Sequence, residues 1–354
     1  MQSDNYRHEI RKIDRSLKVP TLTLLKVPFD LTYWQSIASE KHPNGLPQPY
    51  SDDPTQWGFH GHPAFATSGT ELHVALARLA GYRWPAEIDA CAELAPLAES
   101  HIKAAVALPN ADPDGILPFC PTAPLKPLAD RLREVLVAAY DREWTNAKEK
   151  NLVLAADRLL DNKEARAADL ETWLRDRAFR QHCILFHQRP FVWHIWDGIP
   201  DGFSAFVQYH RLDRARLEKL TYSLLGDWIA RAKAEGQTAR EERALQLQQR
   251  LAAILEGESS YDIFVRWKPL IQQSIGWEPD LDDGVRLNIR PFVKAGVLRE
   301  NPKGIHWNKA RGSDVASAPW FDLGPRWGGK PGDRINDHHL TLAEKHAARE
   351  RLWQ

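Results

Sequence analysis

Apolar positions recur at helical spacing in several separate stretches of the chain. Ser68-Gly-Thr-Glu71 reads as a capping box ahead of a helix striped by Leu72, Leu76 and Leu79 and stopped at Gly81. A second helix, Leu125 to Tyr140, starts with Pro127 in its first turn and carries Leu128, Leu132, Val135 and Leu136 on one face. Ala165–Arg180 turns Leu170, Trp173 and Leu174 inward. Asp213 caps a helix bearing Leu217, Leu220, Leu224 and Trp228, and a further helix bears Leu247, Leu251, Ile254 and Leu255 and ends at Gly257. Between these, Phe186–Tyr209 switches to an alternating aromatic pattern around Asp-Gly-Ile-Pro-Asp-Gly, the mark of a β-hairpin. Thr21–Leu31 suits a buried strand broken by Pro28, the Pro-rich stretch His42–Pro63 reads as an ordered loop or lid, and Thr341–Leu352 is a last helix. The fold class expected is α+β, predominantly helical, with a short β-hairpin region and a loop-rich C-terminal module. The segments expected are 1–150, 151–260 and 261–354.

Composition narrows the classes of function. Of 354 residues, 43% are hydrophobic and 27% charged, which describes a globular chain with room for a large core. Lys+Arg and Asp+Glu are both 47, so any affinity for a polyanion must come from local clustering. Residues 291–330 cluster mildly, with seven basic residues against three acidic. Three cysteines without paired spacing exclude a disulfide framework and a Cys-based zinc finger, and the expected compartment is reducing cytoplasm. No apolar run approaches the roughly 20 residues of a membrane span. Fourteen Trp are too many for one site, so many must be structural.

Several catalytic signatures are missing. No Gly-rich loop follows a strand to bind S-adenosylmethionine, and no Asn-Pro-Pro-aromatic turn is present to grip an adenine amino group: Asn301-Pro302 continues into Lys-Gly. The single nuclease-like acid-x-Lys triplet, Asp161-Asn162-Lys163, sits in a polar helical stretch rather than a strand. His182, Cys183, His187 and His194 are the densest potential metal ligands, with a structural cluster of imidazoles hydrogen-bonded to backbone or carboxylates as the leading reading and zinc as the other.

The stretch Tyr261–Pro291 interleaves Trp and Arg, a pattern suited to stacking on and hydrogen-bonding a polyanion. Candidate DNA contacts are Arg266, Trp267, Lys268, Trp277, Arg286, Asn288, Arg290, Trp307, Lys309 and Arg311. Asp280, Asp282 and Asp283 would position Arg286 and Arg290 by bidentate pairing, accept from a cytosine amino group, or form an internal ion-pair network.

Long ordered blocks add a resemblance covering nearly the whole chain. They include DPTQWGFHGHPA (Asp53–Ala64), GYRWPAE (Gly81–Glu87), RQHCILFHQRPFVWHIWDG (Arg180–Gly198), DGFSAFVQYHRL (Asp201–Leu212), GWEPDLDDGVRLNIRPF (Gly276–Phe292) and GVLRENPKGIHWNKARG (Gly296–Gly312). Together they resemble the C-terminal, target-recognition region of large adenine-specific (N6) DNA methyltransferases of restriction-modification and BREX- or DISARM-like phage-defence systems. The resemblance implies a DNA-binding component that carries no cofactor itself. S-adenosylmethionine would sit on a catalytic methyltransferase subunit or domain, and the partners would be double-stranded DNA and that subunit. The alternative from another class is a protein-interaction or scaffold subunit using the same Trp-rich surface.

Overall fold

The structure, a computed structural model, describes residues 4–14, 26–28, 30–43, 61–89, 94, 96–109, 111–120, 126–160, 167–258, 261, 274–281, 284–304, 330–331, 346–347 and 350. The chain divides into two compact units, Met1–Ser51 and Asp52–Gln354. The first contains helices α1 (Asp4–Ile13) and α2 (Leu31–Lys41). Leu31, expected to end a strand, opens α2 instead, because the Asp30 carboxylate accepts the Tyr33 N–H at 2.9 Å and caps the helix there. Residues 21–25 of the expected strand, and most of the Pro-rich loop, lie outside the described residues.

The second unit is α+β and predominantly helical, as expected. Helix α3 (Glu71–Leu79) buries all but its first residue. Its start departs from the expected capping box: Thr70 is the N-cap, and Glu71 Oε2 accepts from the Gly69 N–H at 2.6 Å. It stops where expected, at Gly81, whose φ of +84° is open to glycine at little cost. Helix α4 (Leu128–Tyr140) starts behind Pro127 and buries Leu128, Leu132, Val135 and Leu136, the predicted face. Helix α5 (Asn146–Asp157) follows, capped by Thr145.

The expected helix through Leu170 and Trp173 is two helices, α6 (Leu170–Asp176) and α7 (Ala178–Leu185). Arg177 leaves helical backbone between them (φ −124°) and pairs with Asp157, at the end of α5, at 2.8 Å in the interior. Asp157 also accepts the Ala167 N–H at 2.9 Å, so the buried carboxylate is both neutralised and hydrogen-bonded. Gln181 ties the same helices together: its Oε1 accepts from Trp173 Nε1 (2.6 Å) and lies 3.0 Å from His73 Nε2, and its Nε2 donates to Ala156 O (2.8 Å).

The hairpin is present as β2 (Val192–Trp196) and β3 (Ser204–Gln208), antiparallel, with Trp193 opposite Val207. Asp197 shapes its turn by accepting the N–H groups of Ile199 and Phe203. The pattern did not reveal β1 (Ile116–Pro118), three residues that pair with the far side of β3 to give the order β1-β3-β2. Nearly every sheet residue is buried, because helices and loops cover both faces. On the outer edge of β2, a single antiparallel bridge joins Ile195 to Leu298.

After β3, Asp213 caps α8 (Arg214–Glu218) as predicted, by accepting the Arg216 N–H. A π-turn (Lys219–Leu224) leads into α9 (Leu225–Ala234), which packs beside α10 (Thr238–Glu256). The freed Thr221 carbonyl accepts from Gln248 Nε2 of α10 at 2.9 Å, which satisfies the turn. Gly257 closes α10 in the left-handed conformation, as expected. Two short helices, α11 (Val285–Asn288) and α12 (Arg290–Ala295), complete the described fold. Among the described residues no helix is long and apolar enough to cross a membrane. The expected last helix, Thr341–Leu352, and the Asp161-Asn162-Lys163 triplet fall outside or almost wholly outside the described residues.

Candidate functional site

Of the ten residues expected to contact DNA, Arg266, Trp267, Lys268, Trp307, Lys309 and Arg311 lie outside the described residues. The other four do not form one surface. Trp277, Asn288 and Arg290 are only 4%, 5% and 3% exposed. Trp277 Nε1 donates to Asn288 O at 2.9 Å, and its indole meets Phe292 edge-on at 5.1 Å and Trp193 at 6.3 Å. Asn288 Nδ2 donates to Tyr209 Oη and to Asp280 O, both at 2.7 Å. Groups this deeply packed cannot reach a phosphate or a base edge. Trp277, Asn288 and Arg290 are therefore interior residues here, and of the four only Arg286 is exposed.

The histidines do structural work. His182 Nε2 accepts the N–H groups of Phe191 (3.2 Å) and Val192 (3.1 Å), which requires an unprotonated nitrogen there. Burial holds its pKa well below the usual histidine value, with the nearby His73 acting in the same sense. His73 is lowered to about 4, first by burial, against a smaller opposing effect of Gln181. His194 lies fully buried among Phe206 (4.6 Å), Phe119 (4.9 Å) and Phe179 (6.3 Å), and neither ring nitrogen has a hydrogen-bond partner. Burial, then the Arg299 charge, lowers it to about 3. The Cys183 thiol is pushed up to about 12, chiefly by burial. His187 is exposed at φ +49°. Among the described residues no group of three or more His, Cys, Asp or Glu is placed to hold a metal ion.

A different convergence brings together three segments far apart in sequence: Gly81–Trp84 after α3, Phe186–Phe191 between α7 and β2, and Tyr209–Arg211 after β3. The Tyr82 ring lies 4.4 Å from Phe191 and 5.6 Å from His210, Phe191 and His210 stack at 5.8 Å, and Phe186 meets Phe191 edge-on at 4.7 Å. Phe191 is the buried backing of this set, while His210 and Phe186 are exposed and Tyr82 is half-buried. Glycine is favoured at position 81 by its positive φ, and a Cβ there would displace the flexible end of Arg211, which donates to Asp112 O at 3.0 Å.

The charge at this face does not cancel. Arg78 is neutralised by Glu87 at 2.9 Å, and Asp112 by Arg131 at 2.9 Å. Arg83 and Arg211 have no carboxylate within ion-pairing distance among the described residues; Arg83 Nη1 donates only to Tyr82 O (2.9 Å). Burial first, then the Arg78 and Arg211 charges, push Arg83 below the usual guanidinium value against the opposing charge of Glu87, and an incoming anion would act in the same sense as Glu87. Burial of its packed side also lowers His210, so this ring is neutral at neutral pH and serves as a stacking surface. Arg189, exposed, adds a third basic residue to the same segments. Rings beside unneutralised guanidiniums suit a ligand with both a π-face and a negative charge.

The buried C-terminal residues connect to this face. Asn288 fixes the Tyr209 hydroxyl, and Tyr209 stacks on Trp193 at 5.0 Å, which anchors the backbone from which His210 and Arg211 project. The signal that would have found the face was visible: Gly-Tyr-Arg-Trp, Phe-His-Gln-Arg-Pro-Phe and Tyr-His-Arg each set aromatic residues beside Arg. What no single stretch shows is that the three meet. Neither a known protein-family model nor a curated protein sequence matches the chain.

Proposed function

We propose that this chain is a DNA-binding, target-recognition component of an adenine-specific (N6) DNA methyltransferase, acting with a separate catalytic polypeptide that carries S-adenosylmethionine. The observation that carries the DNA part is the face where Arg83 and Arg211 stand beside Tyr82 and His210 with no carboxylate within ion-pairing distance among the described residues. The methyltransferase part is supported by the resemblance of the long sequence blocks, three of which, GYRWPAE, RQHCILFHQRPFVWHIWDG and DGFSAFVQYHRL, supply this face. Cys120 and Cys183 are free thiols, which fits a reducing cytoplasm.

The test is a salt titration of binding to a blunt duplex. Each phosphate contact contributes about −0.9 to the slope of log affinity against log salt. Replacing Arg83 and Arg211 together by Gln is expected to weaken duplex binding and make that slope shallower by about 2. Absence of duplex binding in roughly 50 mM salt, alone and with the catalytic polypeptide, would overturn the proposal.

One observation favours the protein-interaction reading. Helix α2 buries none of its residues, and Leu31, Tyr33 and Trp34 are 58%, 55% and 51% exposed. On that reading, association with a partner protein is weakened by Trp34→Ala and responds little to salt.

A further inference from the structure

Resting on the DNA-binding reading, we infer that the face formed by Tyr82, Phe186 and His210 receives an unpaired nucleotide of a single strand, its base on the rings and its phosphate at Arg83 and Arg211. In an intact duplex both faces of each base are covered by stacked neighbours, and a protein meets only phosphates and base edges. Exposed rings have nothing to stack on there. An unpaired base offers a π-face whatever its identity.

The geometry favours such a ligand over a plain phosphate contact. Tyr82 and His210 lie 5.6 Å apart and 37° from coplanar, and both rest on Phe191, which is 8% exposed. Rings already fixed by a buried backing lose little freedom when a base lands on them. Phe186, 38% exposed and edge-on to Phe191, widens the apolar rim. The guanidiniums are held by carbonyls, Arg211 on Asp112 O and Arg83 on Tyr82 O. Each keeps further N–H donors for phosphate oxygens, since a guanidinium has five. A free mononucleotide has the same chemistry as one residue of a strand. The three basic residues, Arg83, Arg189 and Arg211, on three different segments fit a chain of phosphates better than one.

The experiment compares, on the full chain at one salt concentration, a short oligothymidylate, a blunt hairpin duplex and thymidine monophosphate. The single strand is expected to bind about tenfold tighter than the duplex, the scale of one stacked base. His210→Ala should erase that preference and His210→Phe should keep it, and the exposure of His210 lets both variants fold, as equal melting temperatures would confirm. Duplex binding equal to single-strand binding, with His210→Ala changing neither, would overturn this inference while leaving the phosphate contacts of the proposed function standing. Failure to bind either nucleic acid would overturn both. Thymidine monophosphate competing as well as the oligonucleotide, nucleotide for nucleotide, would overturn the assignment to a strand.

Discussion

Acidification is the perturbation whose effect follows most directly from the interior. His73 and His194 are 5% and 0% exposed, with folded-state values near 4 and 3 against an ordinary 6.5. The folded state holds these rings neutral while the unfolded chain protonates them, so the unfolded state binds more protons below 6.5 and stability must fall as pH falls. The stabilisation is complete above 6.5 and erodes on the way down through each folded value. From pH 8 to 5, His73 and His194 lose about 1.5 pH units each at about 1.4 kcal/mol per unit, or about 4 kcal/mol between them. His182, also held well below its ordinary value, and His62, lowered to about 4 chiefly by burial, act in the same direction. Asp197, whose carboxyl burial raises, works the opposite way. At roughly 2 °C per kcal/mol for a unit of this size, scanning calorimetry should show the melting temperature dropping by about 8 °C between pH 8 and 5. His194→Phe removes one of these groups and should make the drop measurably smaller. It should also raise the melting temperature at pH 8, because a buried imidazole without partners costs about 1–3 kcal/mol. A melting temperature flat or rising from pH 8 to 5, or a His194→Phe protein with the full acid dependence, would refute the reasoning.

Two further outcomes concern the candidate face and the C-terminal residues. Gly81→Ala places a Cβ 2.1 Å from Arg211 Nη1 at a positive φ, so it should lower stability by about 1 kcal/mol or more and weaken nucleic-acid binding together; binding unaffected in a calorimetrically destabilised protein would mean Arg211 is not a contact. Arg286→Ala should leave the melting temperature within about 0.5 kcal/mol equivalents, whereas Arg290→Ala, from a side chain 3% exposed, should cost several times that. Equal small effects from the two in a denaturant titration would return Arg290 to the surface.

Local signals read well from the sequence, and long-range ones did not. The ends of α3 and α10 were legible because a glycine that adopts positive φ stops a helix without help from elsewhere, and the cap at Asp213 because an Asp side chain reaches the N–H three residues on. Strand β1 was not, because three residues carry no periodicity and become a strand only by pairing with β3, about ninety positions later. The Trp-Arg interleaving near the C-terminus has two physical solutions, a wet stacking surface or a buried indole, and sequence spacing does not distinguish them. For Trp277 the fold took the second, since the Asn288 carbonyl accepts its N–H and Phe292 and Trp193 cover its ring. The same interleaving recurs around Tyr82, Arg189 and His210, where Phe191 is sealed in, Tyr82 is half-buried and His210 stays out. Within the Tyr82 face the guanidiniums themselves differ in their partners. Where each cation has a carboxylate, as Arg78 has Glu87, burial is affordable; where carbonyls are the only acceptors, as for Arg83 and Arg211, the guanidinium must keep access to water or to an anion. The candidate face in this chain is thus marked less by where aromatic and basic residues are densest than by where guanidiniums lack an ion-pair partner.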